Sequence, residues 1–139
     1  MKKNESIAKI MSSDLVTIDH TQPVSKARQL LESGDHHHLP VIHGEDLVGI
    51  VSWNDILRVT FGEYGNQDGR SLDGILDHTY KLSDLMNCEP TVIPVSGTVR
   101  DAANVLAHSN FHSLPVVDGK KLVGLVTSTD LIRYLVDQY

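Results

Sequence analysis

Two short stretches of the chain carry residues whose types and spacing suit chemistry: Ser52-Trp53-Asn54-Asp55 and Thr127-Ser128-Thr129-Asp130. A hydroxyl three residues before a carboxylate is a capping-box pattern with Asp in the acidic place. The hydroxyl accepts from a free N–H of the first helical turn, and the acid opposes the helix dipole. The same helix start presents free N–H groups and partial positive charge, which suit a phosphate. The structural and the ligand-binding readings are compatible. Histidine is the second signal, with eight in the chain, three of them consecutive at His36, His37 and His38, and His43 close behind. Neutral imidazole is a common metal ligand. Successive strand residues point to opposite faces, however, so these three do not converge on one ion. No Cys or acid completes a spaced set, and no metal site is assigned. Catalysis needs a nucleophile, a base and an oxyanion site that converge. No repeated His lies beside either hydroxyl–carboxylate pair in sequence, and no catalytic residue is assigned.

The elements that must position these residues occur twice. Sliding the sequence by 75 positions aligns 7–58 with 82–133 without a gap, and sixteen of the 52 pairs are identical, among them Met11/Met86, His37/His112, Pro40/Pro115, Gly49/Gly124 and Asp55/Asp130. Each copy reads as strand, helix, strand, strand, helix. Val24, Ala27, Leu30 and Leu31 share one helical face after Pro23, and Val99, Ala102, Val105 and Leu106 repeat it. Leu39–Ile42 and Leu47–Val51 flank a Gly turn as a hairpin, as do Leu114–Val117 and Leu122–Val126. Ser52 and Thr127 then open the second helices, the latter continuing to about Val136. The fold class is therefore α+β: tandem βαββα repeats, expected to pack about a pseudo-twofold axis. A lobe of this length hides too little surface to stand alone, so the copies are expected to share a core. The 59–81 linker holds Gly62, Gly65, Gly69 and Gly74 and reads as a flexible loop over Gly62–Arg70. Leu72, Ile75 and Leu76 have helical spacing, which predicts a short helix over 71–78.

The strand Leu39-Pro40-Val41-Ile42 with Gly49-Ile50-Val51-Ser52-Trp53-Asn54-Asp55, and Leu114-Pro115-Val116-Val117 with Gly124-Leu125-Val126-Thr127-Ser128-Thr129-Asp130, resemble the signature of the CBS (cystathionine β-synthase) domain family. The resemblance covers nearly the whole chain, as repeat 7–58, linker 59–81 and repeat 82–133. It implies a paired regulatory module that senses an adenine nucleotide (AMP, ADP or ATP) or S-adenosylmethionine in the cleft between copies, with no turnover and no catalytic cofactor. It also implies a disk-like homodimer. Such modules usually regulate an attached enzyme or channel, whereas here the repeats fill the sequence, so a protein effector in trans, of unknown identity, is expected. The alternative is an interaction module whose clefts are vestigial.

The ligand-binding residues that follow are Thr17, His37, His38, Ser52, Asp55, His112, Ser113, Thr127 and Asp130. The carboxylates Asp55 and Asp130 are placed to accept from ribose hydroxyls, with phosphate at the helix starts. In the family the leading segment of one copy lines the site whose Asp comes from the other. Thr17 fits that role and its counterpart Val92 does not, so unequal clefts are expected: Thr17 with Thr127 and Asp130 is the better equipped, Val92 with Ser52 and Asp55 the poorer. Family members that bind phosphate-rich ligands often carry a basic residue two positions before the strand Pro. His38 and Ser113 stand there and lack the permanent charge of Arg, which favours AMP, ADP or a less charged adenosyl ligand over a triphosphate. Trp53 reads as an amphipathic packing residue, Met11 and Met86 as paired core methionines, and Cys88 as an inert thiol. Arg58 and Arg133 read equally as solvated or as neighbours of an anionic ligand.

Composition agrees with this reading. The 139 residues are 40% hydrophobic and 22% charged, which excludes a disordered chain. The net charge of −6 repels nucleic acid and anionic membranes, and the only clustered cations are the pairs Lys2/Lys3 and Lys120/Lys121. No apolar run approaches the roughly 18 residues that read as a membrane span. A lone Cys forms no intrachain disulfide, so a reducing cytoplasm is expected.

Overall fold

The computed structural model describes residues 4–34, 36–63 and 69–139. They fall into two compact units, Val16–Pro90, and Met1–Leu15 together with Thr91–Tyr139. The first unit contains β1 (Ile18–Asp19), α1 (Val24–Glu32), β2 (His38–His43), β3 (Asp46–Ser52), α2 (Trp53–Glu63), α3 (Gly69–Thr79) and α4 (Leu82–Leu85). The second contains a single 3₁₀ turn at Ile7–Lys9, then β4 (Ile93–Pro94), α5 (Val99–Ala107), β5 (Ser113–Asp118), β6 (Lys121–Thr127) and α6 (Ser128–Asp137). The βαββα order read from the sequence is present in both units, and the class is α+β.

Strand pairing repeats in register. β1 runs parallel to β2 (Ile18 opposite Val41), and β2 runs antiparallel to β3 from His38–Ser52 to His43–Asp46. In the second unit β4 is parallel to β5 (Ile93 opposite Val116), and β5 is antiparallel to β6 from Ser113–Thr127 to Asp118–Lys121. Gly44 and Gly119 take φ of +65° and +64° as the first residues of the two-residue hairpin loops. That is the position at which a II′ turn demands glycine.

Each core is closed by a segment that the sequence repeat assigns to the other copy. The first core combines Ile18, Val24, Ala27, Leu31, Leu39, Val41, Val51 and Ile56 with Leu76, Leu82 and Leu85. The second combines Ile93, Ala102, Leu106, Leu114, Val116 and Val126 with Ile7. The exchanged segments are also held by main chain. Asn87 N donates to Ile50 O (2.8 Å) and its carbonyl accepts from Ile50 N (3.0 Å); Ser12 N donates to Leu125 O (2.8 Å) and its carbonyl accepts from Leu125 N (2.9 Å). The repeated Gly/Met pairs belong to this seam. A Cβ on Gly49 would lie 2.6 Å from Met86 Sδ and 3.0 Å from Asn87 O, and one on Gly124 would lie 2.5 Å from Met11 Sδ. The methionines are thus packed at their own unit's third strand, as partly buried residues against the cores.

The linker departs from its reading. Residues 62–63 end α2 and 69–70 begin α3, while 64–68 of the expected loop lie outside the described residues. The helix expected over 71–78 forms and is longer, because Leu72 and Leu76 pack on the first core. It also supplies what α1 lacks. Thr98 caps α5 by accepting from Asp101 N (3.1 Å), whereas its counterpart Pro23 has no side-chain acceptor to offer α1. Asp77 of α3 fills that place, accepting from Ser25 N (2.8 Å) and Ser25 Oγ (2.6 Å). One turn earlier, Asp73 takes a two-point contact from Arg28, Nε to Oδ1 at 2.5 Å and Nη2 to Oδ2 at 2.9 Å.

Two predictions follow from these contacts. Gly49→Ala lowers stability by about 1–3 kcal/mol, the usual cost of overpacking. Gly124→Ala costs less, since only the flexible Met11 side chain must yield, and Met11→Ala recovers part of that loss; urea melts of the four variants, including the double mutant, check the order. The hydrogen bond from Arg28 holds the Asp73 carboxyl below its ordinary range. A lowered folded-state pKa contributes stability above the unfolded value, about 3.9, and that contribution fades as pH falls through the folded value. Asp73→Asn is expected to cost about 1–3 kcal/mol at neutral pH, with a gap to wild type that narrows in urea melts taken at successively lower pH.

Candidate functional site

The hydroxyl–carboxylate pairs sit where each hairpin runs into its second helix. Asp55 N donates to Ser52 Oγ (3.2 Å) and Ser52 N donates to Asp55 Oδ2 (2.8 Å), while Asp130 N donates to Thr127 Oγ1 (3.1 Å) and Thr127 N donates to Asp130 Oδ2 (2.9 Å). Both are reciprocal capping boxes. Each fixes its carboxylate at the helix start and uses one of the two oxygens.

The expected site residues gather at these corners, unit by unit. Across β2 and β3, His38 is opposite Ser52, and the His37 carbonyl accepts from Trp53 N at 3.1 Å. Across β5 and β6, Ser113 is opposite Thr127, and the His112 carbonyl accepts from Ser128 N at 2.8 Å. The repeated histidine therefore ties the strand entrance to the helix start through its main chain, and its side chain is exposed. His38 and Ser113 are half-buried beside their hydroxyl partners. Thr17, half-buried, stands one residue before the Ile18–Val41 pair of the first unit, whereas Val92, its counterpart in the second, is exposed. Trp53 is partly buried against the first core, as a packing residue would be. Among the described residues, no three His, Cys, Asp or Glu side chains converge as metal ligands.

The two corners differ in a way that spacing alone did not decide. Arg58 Nη2 lies 3.2 Å from Asp55 Oδ1, so both oxygens of Asp55 are engaged. Arg133 makes no such contact, and Asp130 Oδ1 has no hydrogen-bond partner among the described residues. A carboxylate oxygen with open lone pairs at a helix start can accept a hydroxyl. Of the first-turn N–H groups beside it, those of Ser128 and Asp130 are spent on His112 O and Thr127 Oγ1, which leaves that of Thr129 to face an anion. No helix among the described residues is long and apolar enough to cross a membrane.

Comparison with known proteins assigns this arrangement. The CBS domain family model matches residues 7–62 and 82–137, and the chain belongs to the CBS domain family. An uncharacterised protein of Methanocaldococcus jannaschii is 30% identical over 138 residues, 97% of this chain but 33% of the relative, and a second from the same organism is 26% identical with 44% of its length covered. This chain thus spans less than half of those two relatives. A CBS domain-containing protein of Dictyostelium discoideum is 30% identical over 135 residues, covering 94% of this chain and 90% of the relative. Among solved structures, CBSX2 of Arabidopsis thaliana in complex with AMP superposes with a TM-score of 0.79 at 29% identity, covering 96% of this chain and 98% of that one.

Proposed function

We propose that this protein is a regulatory module without turnover that binds an adenine nucleotide or adenosyl ligand at its Ser/Thr–Asp helix starts and signals to a protein effector by a conformational or oligomeric change. The observation that carries the reading is the open Oδ1 of Asp130, held at the helix start by its capping box, where it can accept a ribose hydroxyl. The AMP complex of CBSX2, which matches the full length of the pair, supports the ligand class. Thr17, His37, His38, Ser52, Asp55, His112, Ser113 and Thr127 complete the proposed set. Asp130 is the stronger of the two carboxylates, because Arg58 competes for Asp55. With no arginine at positions 38 and 113, AMP, ADP or S-adenosylmethionine fits better than ATP. The single free cysteine, exposed Cys88, suits a reducing cytoplasm.

Calorimetric titration with AMP, ADP, ATP and S-adenosylmethionine tests this. Asp130→Ala is expected to lose more affinity than Asp55→Ala, by about tenfold, the weight of 1.4 kcal/mol. Equal losses overturn the asymmetry. A bound ligand at a hundredfold excess over its Kd also raises stability by about 2.7 kcal/mol, and no thermal shift with any of the four favours the interaction reading instead.

The oligomeric part of the proposal rests on α6. Ile132 (60% exposed), Leu135 (41%) and Val136 (65%) form an apolar stripe there, continued by Tyr139. Burying it against a second copy removes an apolar surface that a monomer leaves in water. Light scattering is expected to show a dimer for the wild type and a monomer for the double substitution Leu135→Glu with Val136→Glu. A monomeric wild type overturns this part.

A further inference from the structure

The second unit closes a gap that the first leaves open. Its leading segment pairs with the start of α5: Ile7 N donates to Gly97 O at 3.0 Å, Val99 N donates to Glu5 O at 2.8 Å, and Ser6 bridges Thr98. In the first unit the aligned segments are Tyr80–Leu82 and Gln22–Val24, and the corresponding main-chain bonds are absent there. Asp77 caps α1 instead, and both its oxygens are spent on Ser25. Where the second unit is zipped, the first has a cavity of about 660 Å³, within the usual range for small-molecule sites.

The lining is also particular to the first unit. His20, the residue after β1, and His43, the last of β2, face each other with ring centroids 4.3 Å apart and planes tilted by 54°. Tyr80 and Lys81 stand on the segment leading into α4, and Val48 and Met86 add apolar wall. The positions aligned with His20, His43, Tyr80 and Lys81 in the second unit are Val95, Asp118, Glu5 and Ser6. The exchange thus replaces three rings and a cation by an apolar residue, two acids and a hydroxyl. Lys81 has no ion pair among the described residues, and the one acid of the lining, Asp77, is already engaged. The cavity lies at the opposite end of β2 from the His38–Ser52 corner, five strand steps or about 16 Å away.

We propose that this cavity binds a small planar organic anion, its ring against the His20, His43 and Tyr80 rings and its carboxylate or phosphate on Lys81. Aromatic walls favour a flat apolar body and an uncommitted ammonium favours an anion. The site is independent of the adenosyl reading, since it uses none of the residues assigned to it.

The test is an amide-resolved NMR titration of the full chain with benzoate, nicotinate and phenyl phosphate, none of which carries a ribose. The first two against the third separate a carboxylate from a phosphate preference. At least one probe is expected to give saturable shifts centred on His20, His43, Tyr80 and Lys81. Affinity is expected to fall by about tenfold, or 1.4 kcal/mol, in Lys81→Ser and in the double substitution His20→Val with His43→Asp, which install residues the second unit already carries at the aligned positions. Circular dichroism verifies that these variants fold. No saturation at millimolar concentration, shifts centred instead on Asp55 or Asp130, or unchanged affinity in both variants overturns the proposal. Because the probes lack a ribose, failure of the adenosyl reading leaves this outcome unchanged.

Discussion

Exchange of the leading segments is the constraint on which the rest depends. The first unit places Leu82 and Leu85 in its core and Met86 against Gly49, and the second does the same with Ile7 and with Met11 against Gly124. Each repeat, cut as the sequence alignment suggests, supplies most of one hydrophobic core and lacks the residues that complete it. Burial of apolar surface is the main favourable term in folding, and a segment of this length hides too little alone. The exchange also joins each third strand to the crossing segment through paired main-chain bonds, Ile50 with Asn87 and Leu125 with Ser12. The third strands lead directly into the Ser52–Asp55 and Thr127–Asp130 helix starts. The geometry of the candidate site is thus anchored by residues far from it in sequence.

On this shared frame the two units differ through a few side chains. Thr98 lets α5 cap itself, while Pro23 leaves α1 to be capped from α3 by Asp77. That substitution gives the linker helix a structural task, reinforced by the Arg28–Asp73 contact, and it coincides with the open cavity beside the α1 start. At the other end of the hairpins, Arg58 occupies an oxygen of Asp55 while the corresponding oxygen of Asp130 has no described partner. Duplicated sequence therefore yields two corners of one design that differ in how many carboxylate oxygens are engaged, and a first unit with a cavity beside the α1 start.

Much of this was legible beforehand because its physics is local. The βαββα order follows from apolar periodicity and from glycines at the hairpin turns, where positive φ excludes other residues. The capping boxes follow from a hydroxyl and an acid three residues apart, since both partners lie within one helical turn. The 75-residue offset displayed the repeat, and with it the CBS pair. Less legible was the linker, since glycines there argued for a loop over Gly62–Arg70, while Leu72 and Leu76 found a core to cover and extended α3 to Gly69. Tertiary packing overrode the weak helix propensity of glycine.

By itself, then, the sequence determined the elements, their duplication and the residues at each helix start, because these depend on neighbours within a few positions. Only the tertiary structure decided which leading segment completes which core, which carboxylate oxygen is left open, and that His20 and His43 meet Tyr80 and Lys81 around a cavity. Those outcomes join residues tens of positions apart, and spacing along the chain carries no record of such meetings. The histidines show the division most clearly. In sequence His36–His38 stood out as a run, whereas in the folded chain His37 and His112 act through their carbonyls, and the ring-to-ring contact belongs to His20 and His43.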